Sequence, residues 1–141
     1  MTRIDFHTNI PDKLGYACRL ARKAYASRAK LVLLAESPAQ AAELNDALWT
    51  LSSTDFIPHV MAGDPLAGET PVIVTADENA ELPHREMLVN LTRRTPAGFD
   101  SFARVFEIIS TDEEDAAAGR ARYVAYKRQQ FELTHFVAGQ S

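Results

Sequence analysis

Residues 30–35 read Lys-Leu-Val-Leu-Leu-Ala, and Ser37-Pro38 follows after Glu36. Side chains alternate between the two faces of a strand, so a continuous apolar run has to be covered on both faces. Such strands belong to parallel sheets flanked by helices. Ser37 supplies an N-cap and Pro38 a first helical residue, which starts a helix through Ala41, Leu44, Leu48 and Trp49. The rest of the chain keeps the alternation. Residues 3–7 read as a first strand, and residues 11–28 as a helix with Leu14, Ala17, Leu20, Ala21 and Ala24 at helical spacing. Residues 56–60, 71–75, 86–91 and 104–109 read as further strands, and residues 77–83 as a polar loop. The prediction is an α/β fold: a single three-layer α/β/α domain over residues 1–141 with a mostly parallel sheet, part of it mixed where the later connections shorten.

At 141 residues the chain can bury one real core. Its net charge of −4 argues against broad, non-specific binding to nucleic acid, although a local basic patch remains compatible with it. The lone cysteine, Cys18, falls in a predicted helix and reads as a small buried hydrophobe. No apolar run has spanning length and the N-terminus lacks a signal-peptide core, so the expectation is a cytoplasmic protein without a membrane partner.

Several chemistries lack their motifs. No phosphate-binding loop of the G-x-x-x-x-G-K-[ST] type occurs, and the turn after the first strand (Thr8, Asn9, Ile10, Pro11, Asp12) has no glycine for close approach to a pyrophosphate. The fold is therefore expected to be Rossmann-like without a nucleotide-binding loop, and no cofactor is expected. His7, His59, His84 and His135 are far apart and lack metal-ligand spacing. Asp5 and Asp77 are the candidates for an alternative reading, a small α/β enzyme with a carboxylate site at the strand ends. Against it, Asp5 reads as a solvent-facing residue of an alternating strand.

Residues 110–131 carry the strongest functional signal. Read as a helix, they place Asp112, Glu113, Glu114 and Asp115 in the first turn and Lys127 and Arg128 near the end, which suits the macrodipole, with Ser110 and Glu113 as a capping box. At about 100° per residue, Ala116, Arg120, Tyr123, Val124, Lys127 and Phe131 share a stripe. Cations beside apolar groups suit a ligand that is both acidic and greasy; the plainer alternative is an amphipathic helix with snorkelling side chains. A third reading, direct nucleic-acid binding through residues 120–128, conflicts with the short patch and the acidic chain. The second segment of interest holds Trp49 at a helix end, and Phe56 and His59 around Pro58. Because Pro58 cannot donate to a ladder, that strand must be short, bulged or at an edge. Trp49 and Phe56 are either interface anchors or a contact closing a corner of the core.

Three pieces in this order carry a family resemblance: Asp46-Ala47-Leu48-Trp49, Phe56-Ile57-Pro58-His59 and Arg122-Tyr123-Val124-Ala125-Tyr126-Lys127. Together the chain resembles the chi subunit of bacterial DNA polymerase III holoenzyme. The resemblance implies a non-catalytic accessory subunit of the replicative polymerase complex. It implies binding to the acidic C-terminal tail of single-stranded DNA-binding protein, and to the psi subunit of the clamp-loader complex or an alternative helicase-like partner. Contact with nucleic acid would be indirect. For the tail it implicates Arg120, Tyr123, Val124, Lys127, Arg122 and Arg128, and for psi Trp49, Phe56, Pro58 and His59. Arg120 and Tyr123 share a helix face, whereas Arg122 lies on another side. Val124 departs from the family, whose members can carry a basic residue there, and shifts the burden to Lys127 or Arg128.

Overall fold

The doubly covered strand lies in the interior of the sheet. In the computed structural model, which describes residues 2–50 and 57–139, β2 (Leu31–Leu34) is buried along its whole length. Leu31 and Leu33 pack with one apolar cluster, and Val32 and Leu34 with another on the opposite face. The remaining strands are β1 (Arg3–Ile10), β3 (His59–Met61), β4 (Val72–Thr75), β5 (Met87–Asn90), β6 (Arg104–Ser110) and β7 (Glu132–Val137). The order is β3-β4-β2-β5-β6-β1-β7, and every pairing is parallel. No mixed segment occurs among the described residues. Helices α1 (Lys13–Ala26) and α2 (Pro38–Thr50) cover one face through Ala17, Ala21, Ala41, Leu44 and Leu48, and α3 (Glu113–Arg128) covers the other through Tyr126. The α/β/α layering agrees with the sequence reading.

The departures have local causes. β1 continues to Ile10 because Asn9 takes a left-handed backbone (φ 61°), a conformation asparagine tolerates, and the register with β6 shifts there. β3 is a three-residue edge strand starting directly after Pro58, as the missing N–H requires. Phe56 lies outside the described residues. The cap of α3 is Asp112, not Ser110: the Asp112 carboxylate accepts from the Asp115 amide at 3.1 Å, while Ser110 closes β6. The helix ends at Arg128, earlier than predicted, and Gln130 (φ 65°) turns the chain into β7, which the sequence reading did not anticipate.

Asp5 corrects another expectation. It does not face solvent but is buried between three strands. Its carboxylate accepts from Arg3 Nε on β1 at 3.0 Å, from Arg104 Nε on β6 at 2.6 Å, and from the Thr134 hydroxyl on β7. Burial by itself would push this carboxyl up, but the Thr134 hydroxyl and the two guanidiniums outweigh it and hold it below the usual carboxylate range. Asp115 is held down in the same way: burial opposes, while the Ser110 amide (2.7 Å) and Lys13 (3.0 Å) prevail. Groups with depressed folded values stabilise the fold above their unfolded pKa and lose that contribution as pH falls through the folded value. Stability should therefore drop below about pH 4. In Asp5→Asn, urea unfolding at pH 7 and at pH 2.5 should differ less than in the wild type.

Candidate functional site

Adjacent strands β1 and β6 send their connections in opposite directions. β1 leads through α1 toward β2, and β6 leads through α3 past β1 to β7 at the sheet edge. The two connections pass each other on opposite faces, α1 on one and α3 on the other. A groove of about 620 Å³ opens on the α3 side of the sheet. Thr8 and Asn9 of β1, the end of β6 and His135 of β7 form its strand wall; Ala116, Gly119, Arg120, Tyr123 and Val124 form its helix wall.

Gly119 lets the two walls meet. A Cβ there would lie 2.7 Å from both Cδ1 and Cγ1 of Ile109, so any side chain would push α3 off β6. The Tyr123 ring stands edge-on to Phe6, centroids 5.1 Å apart, and 6.2 Å from the His135 ring, which makes an aromatic floor. Among the described residues Arg120 has no ion-pair or hydrogen-bond partner, although it belongs to a helix whose acidic first turn is well supplied with cations. Arg93 reaches Asp112 at 2.9 Å and Glu114 at 3.1 Å, and Lys13 reaches Asp115. Those acids are satisfied away from the groove, and its exposed guanidinium is left for something else.

The structure divides the six helix residues singled out from sequence. Arg120, Tyr123 and Val124 line the groove together. Lys127 and Arg128 are exposed in the last turn but do not line it. Arg122 has to be withdrawn from the surface. It is 4 % exposed and pairs with Glu107 of β6, itself completely buried, through Nε at 3.2 Å and Nη2 at 3.0 Å. The same carboxylate accepts from the Tyr126 hydroxyl at 2.7 Å and from Asn90 Nδ2 at 2.9 Å. Burial pushes the Glu107 carboxyl up, opposed first by the Arg122 charge. Four donors converge on its two oxygens, which fits the ionised form, since a proton there would face another proton. Burial also pushes the Tyr126 hydroxyl up. The face of α3 toward the core is thus Asp115, Gly119, Arg122 and Tyr126, one residue offset from the predicted stripe.

A second surface lies at the other edge of the sheet. Trp49, in the last turn of α2, is 55 % exposed and rests on the His59 ring at 4.8 Å. His59 is not available as a contact residue: it is buried, and its two ring nitrogens lie 2.6 Å from the carbonyl oxygen of Ile57 and 3.2 Å from that of Asn45. It supports the tryptophan from beneath, and Pro58 is half-buried beside it. Met61, two residues along β3 and so on the face of His59, is also exposed. Sequence reasoning missed Met61, since only the strand's edge position makes it accessible.

The two residues of the carboxylate alternative stand in different settings. Asp5 is engaged by Arg3, Arg104 and Thr134, and Asp77 accepts from the Asn79 amide at 2.9 Å in an exposed turn. Among the described residues no cluster of three or more metal-ligating side chains occurs, and no helix is long and apolar enough to cross a membrane. Burial pushes the Cys18 thiol up to about 11, which leaves it unreactive near neutrality.

The chain is similar to known proteins along most of its length. The family model described as DNA polymerase III chi subunit, HolC, matches residues 1–134. DNA polymerase III subunit chi of Pseudomonas aeruginosa is 34% identical over 138 residues, covering 94% of each chain. The protein of that name from Haemophilus influenzae is 29% identical, covering 84% of this chain and 82% of its own. That from Escherichia coli is 26% identical, covering 82% and 79%.

Proposed function

Since the chain belongs to the DNA polymerase III chi-subunit family, we propose that it is a single-domain, non-catalytic adaptor of the replicative polymerase, working in the cytoplasm. Its groove between α3 and β1 takes the acidic C-terminal tail of single-stranded DNA-binding protein. Its Trp49 surface takes psi or a helicase-like partner of the clamp-loader complex. A tail that is rich in aspartate and ends in an apolar residue needs an apolar seat beside a cation for its terminal carboxylate. The observation that carries the reading is that Arg120, unpaired among the described residues, stands next to the Tyr123–Phe6 floor in an open groove. A guanidinium can hold both oxygens of a carboxylate. Lys127 and Arg128, on the same helix, supply longer-range attraction for the preceding acids.

For the second surface, the exposed Trp49 ring and Met61 offer an apolar patch of the kind that anchors protein partners. Single-stranded DNA is then reached through its coating protein and not by direct contact.

Calorimetric titration with a tail peptide tests the reading. Binding should be in the micromolar range at low salt and should weaken steadily as salt rises, because the contacts are charged and partly exposed. Amidating the peptide's C-terminus should weaken binding about tenfold, through loss of the charge-assisted pair. A peptide bound equally well as acid and amide would refute the assignment of Arg120 to the terminal carboxylate.

A further inference from the structure

Resting on the tail-binding reading, we propose that His135 is the second anion-binding group of the groove, so that tail binding takes up protons and tightens as pH falls. Arg120 is the only permanently charged side chain that lines the groove among the described residues; Ala116 and Val124 are neutral. One guanidinium is little for a peptide that carries several carboxylates. His135 stands on the strand wall, where Arg120 stands on the helix wall. Its Nε2 bonds the Thr8 hydroxyl at 2.8 Å, which fixes the ring. Nδ1 has no hydrogen-bond partner among the described residues and is left for a ligand. The ring lies beside Tyr123, against the floor proposed to seat the tail's terminal residue.

The surroundings set the sign. From α3 the titratable or charged groups facing the groove are Arg120 and Tyr123; β1 contributes only the uncharged Thr8 and Asn9, and Ser110 at the end of β6 and Thr111 after it are likewise uncharged. On β7 the neighbours Thr134 and Phe136 point to the other face, Thr134 to Asp5 and Phe136 to His7. No carboxylate lines the groove among the described residues. A bound tail brings the carboxylates itself, and these favour the charged imidazole. A histidine gains its charge as pH falls from about 8 to 6, a range in which the tail's carboxylates stay ionised. By linkage, a ligand that raises a group's pKa binds more tightly where that group is protonated.

The experiment measures anisotropy of a labelled tail peptide at pH 8 and pH 6 at fixed ionic strength, with the full-length protein and with His135→Gln, which can still bond Thr8. The wild type should bind about three- to tenfold more tightly at pH 6. Calorimetry at pH 7 in buffers of different ionisation heat should show uptake of a fraction of a proton. In His135→Gln both effects should vanish. His7, His59 and His84, which do not line the groove, remain in that variant as internal controls. A pH-independent wild type, or a variant that keeps the pH dependence, would overturn the role of His135 while leaving tail binding standing. A peptide that fails to bind at either pH would overturn both.

Discussion

Glu107→Ala should lower the free energy of unfolding by about 3–5 kcal/mol, read from urea titration by circular dichroism. The truncation leaves the Arg122 guanidinium, 4 % exposed, without its counter-charge, and strands the Tyr126 hydroxyl as well, whereas the Asn90 amide loses one bond and keeps the other, to the Arg94 carbonyl. Arg122 already has one buried nitrogen, Nη1, without a partner among the described residues, so little slack remains to absorb the loss. The double variant Glu107→Leu with Arg122→Met distinguishes the cost of an orphaned charge from the worth of the pair. If the loss comes from the orphan, the double variant should recover most of the stability, since apolar replacements of buried ion pairs are often neutral or better. A double variant as unstable as the single one would mean that the network itself holds α3 on the sheet.

Arg120→Glu should cost tail binding on the order of 100-fold and change stability by less than about 0.5 kcal/mol. The two effects separate because Arg120 holds nothing within the protein: it is exposed and has no partner among the described residues. Reversal does more than delete the proposed pair with the terminal carboxylate, for it puts a like charge beside it. The paired readout is peptide titration and thermal unfolding of the same preparation. A variant that binds normally would remove Arg120 from the site; one that binds poorly and also unfolds early would mean that the groove collapsed.

How much of this was legible in sequence varies with the kind of residue. The run at residues 30–35 dictated a doubly covered strand, and its position in the interior of the sheet bears that out. Arg120 and Tyr123 were legible as a pair because helical spacing is local information. Arg122, next to Tyr123 in sequence, was misread as a surface cation because its burial depends on Glu107, fifteen residues away. A signal was present: a glutamate inside the apolar run at residues 104–109 has to find a buried cation once both faces of that strand are covered. His59 followed the same pattern, its role set by carbonyls of α2 and of its own turn. β7 gave weaker clues. Its start has a left-handed glutamine where a glycine would have marked a turn, and its alternation is diluted by Thr134 and His135. With β7 unread, His135 could not be placed in the groove, since only the crossover of α3 past β1 brings it there.

If the acidic tail seats its terminal residue between α3 and β1, a tail peptide carrying a nitroxide spin label near its C-terminus should mark that groove. Amide resonances of the protein are recorded with the label oxidised and then reduced. Strong paramagnetic broadening is expected at Asn9, Thr111, Gly119 and Val124, and none at Trp49, Val60 or Met61 on the opposite edge of the sheet. Broadening centred on Trp49 and β3, with the groove resonances unchanged, would contradict that placement of the tail.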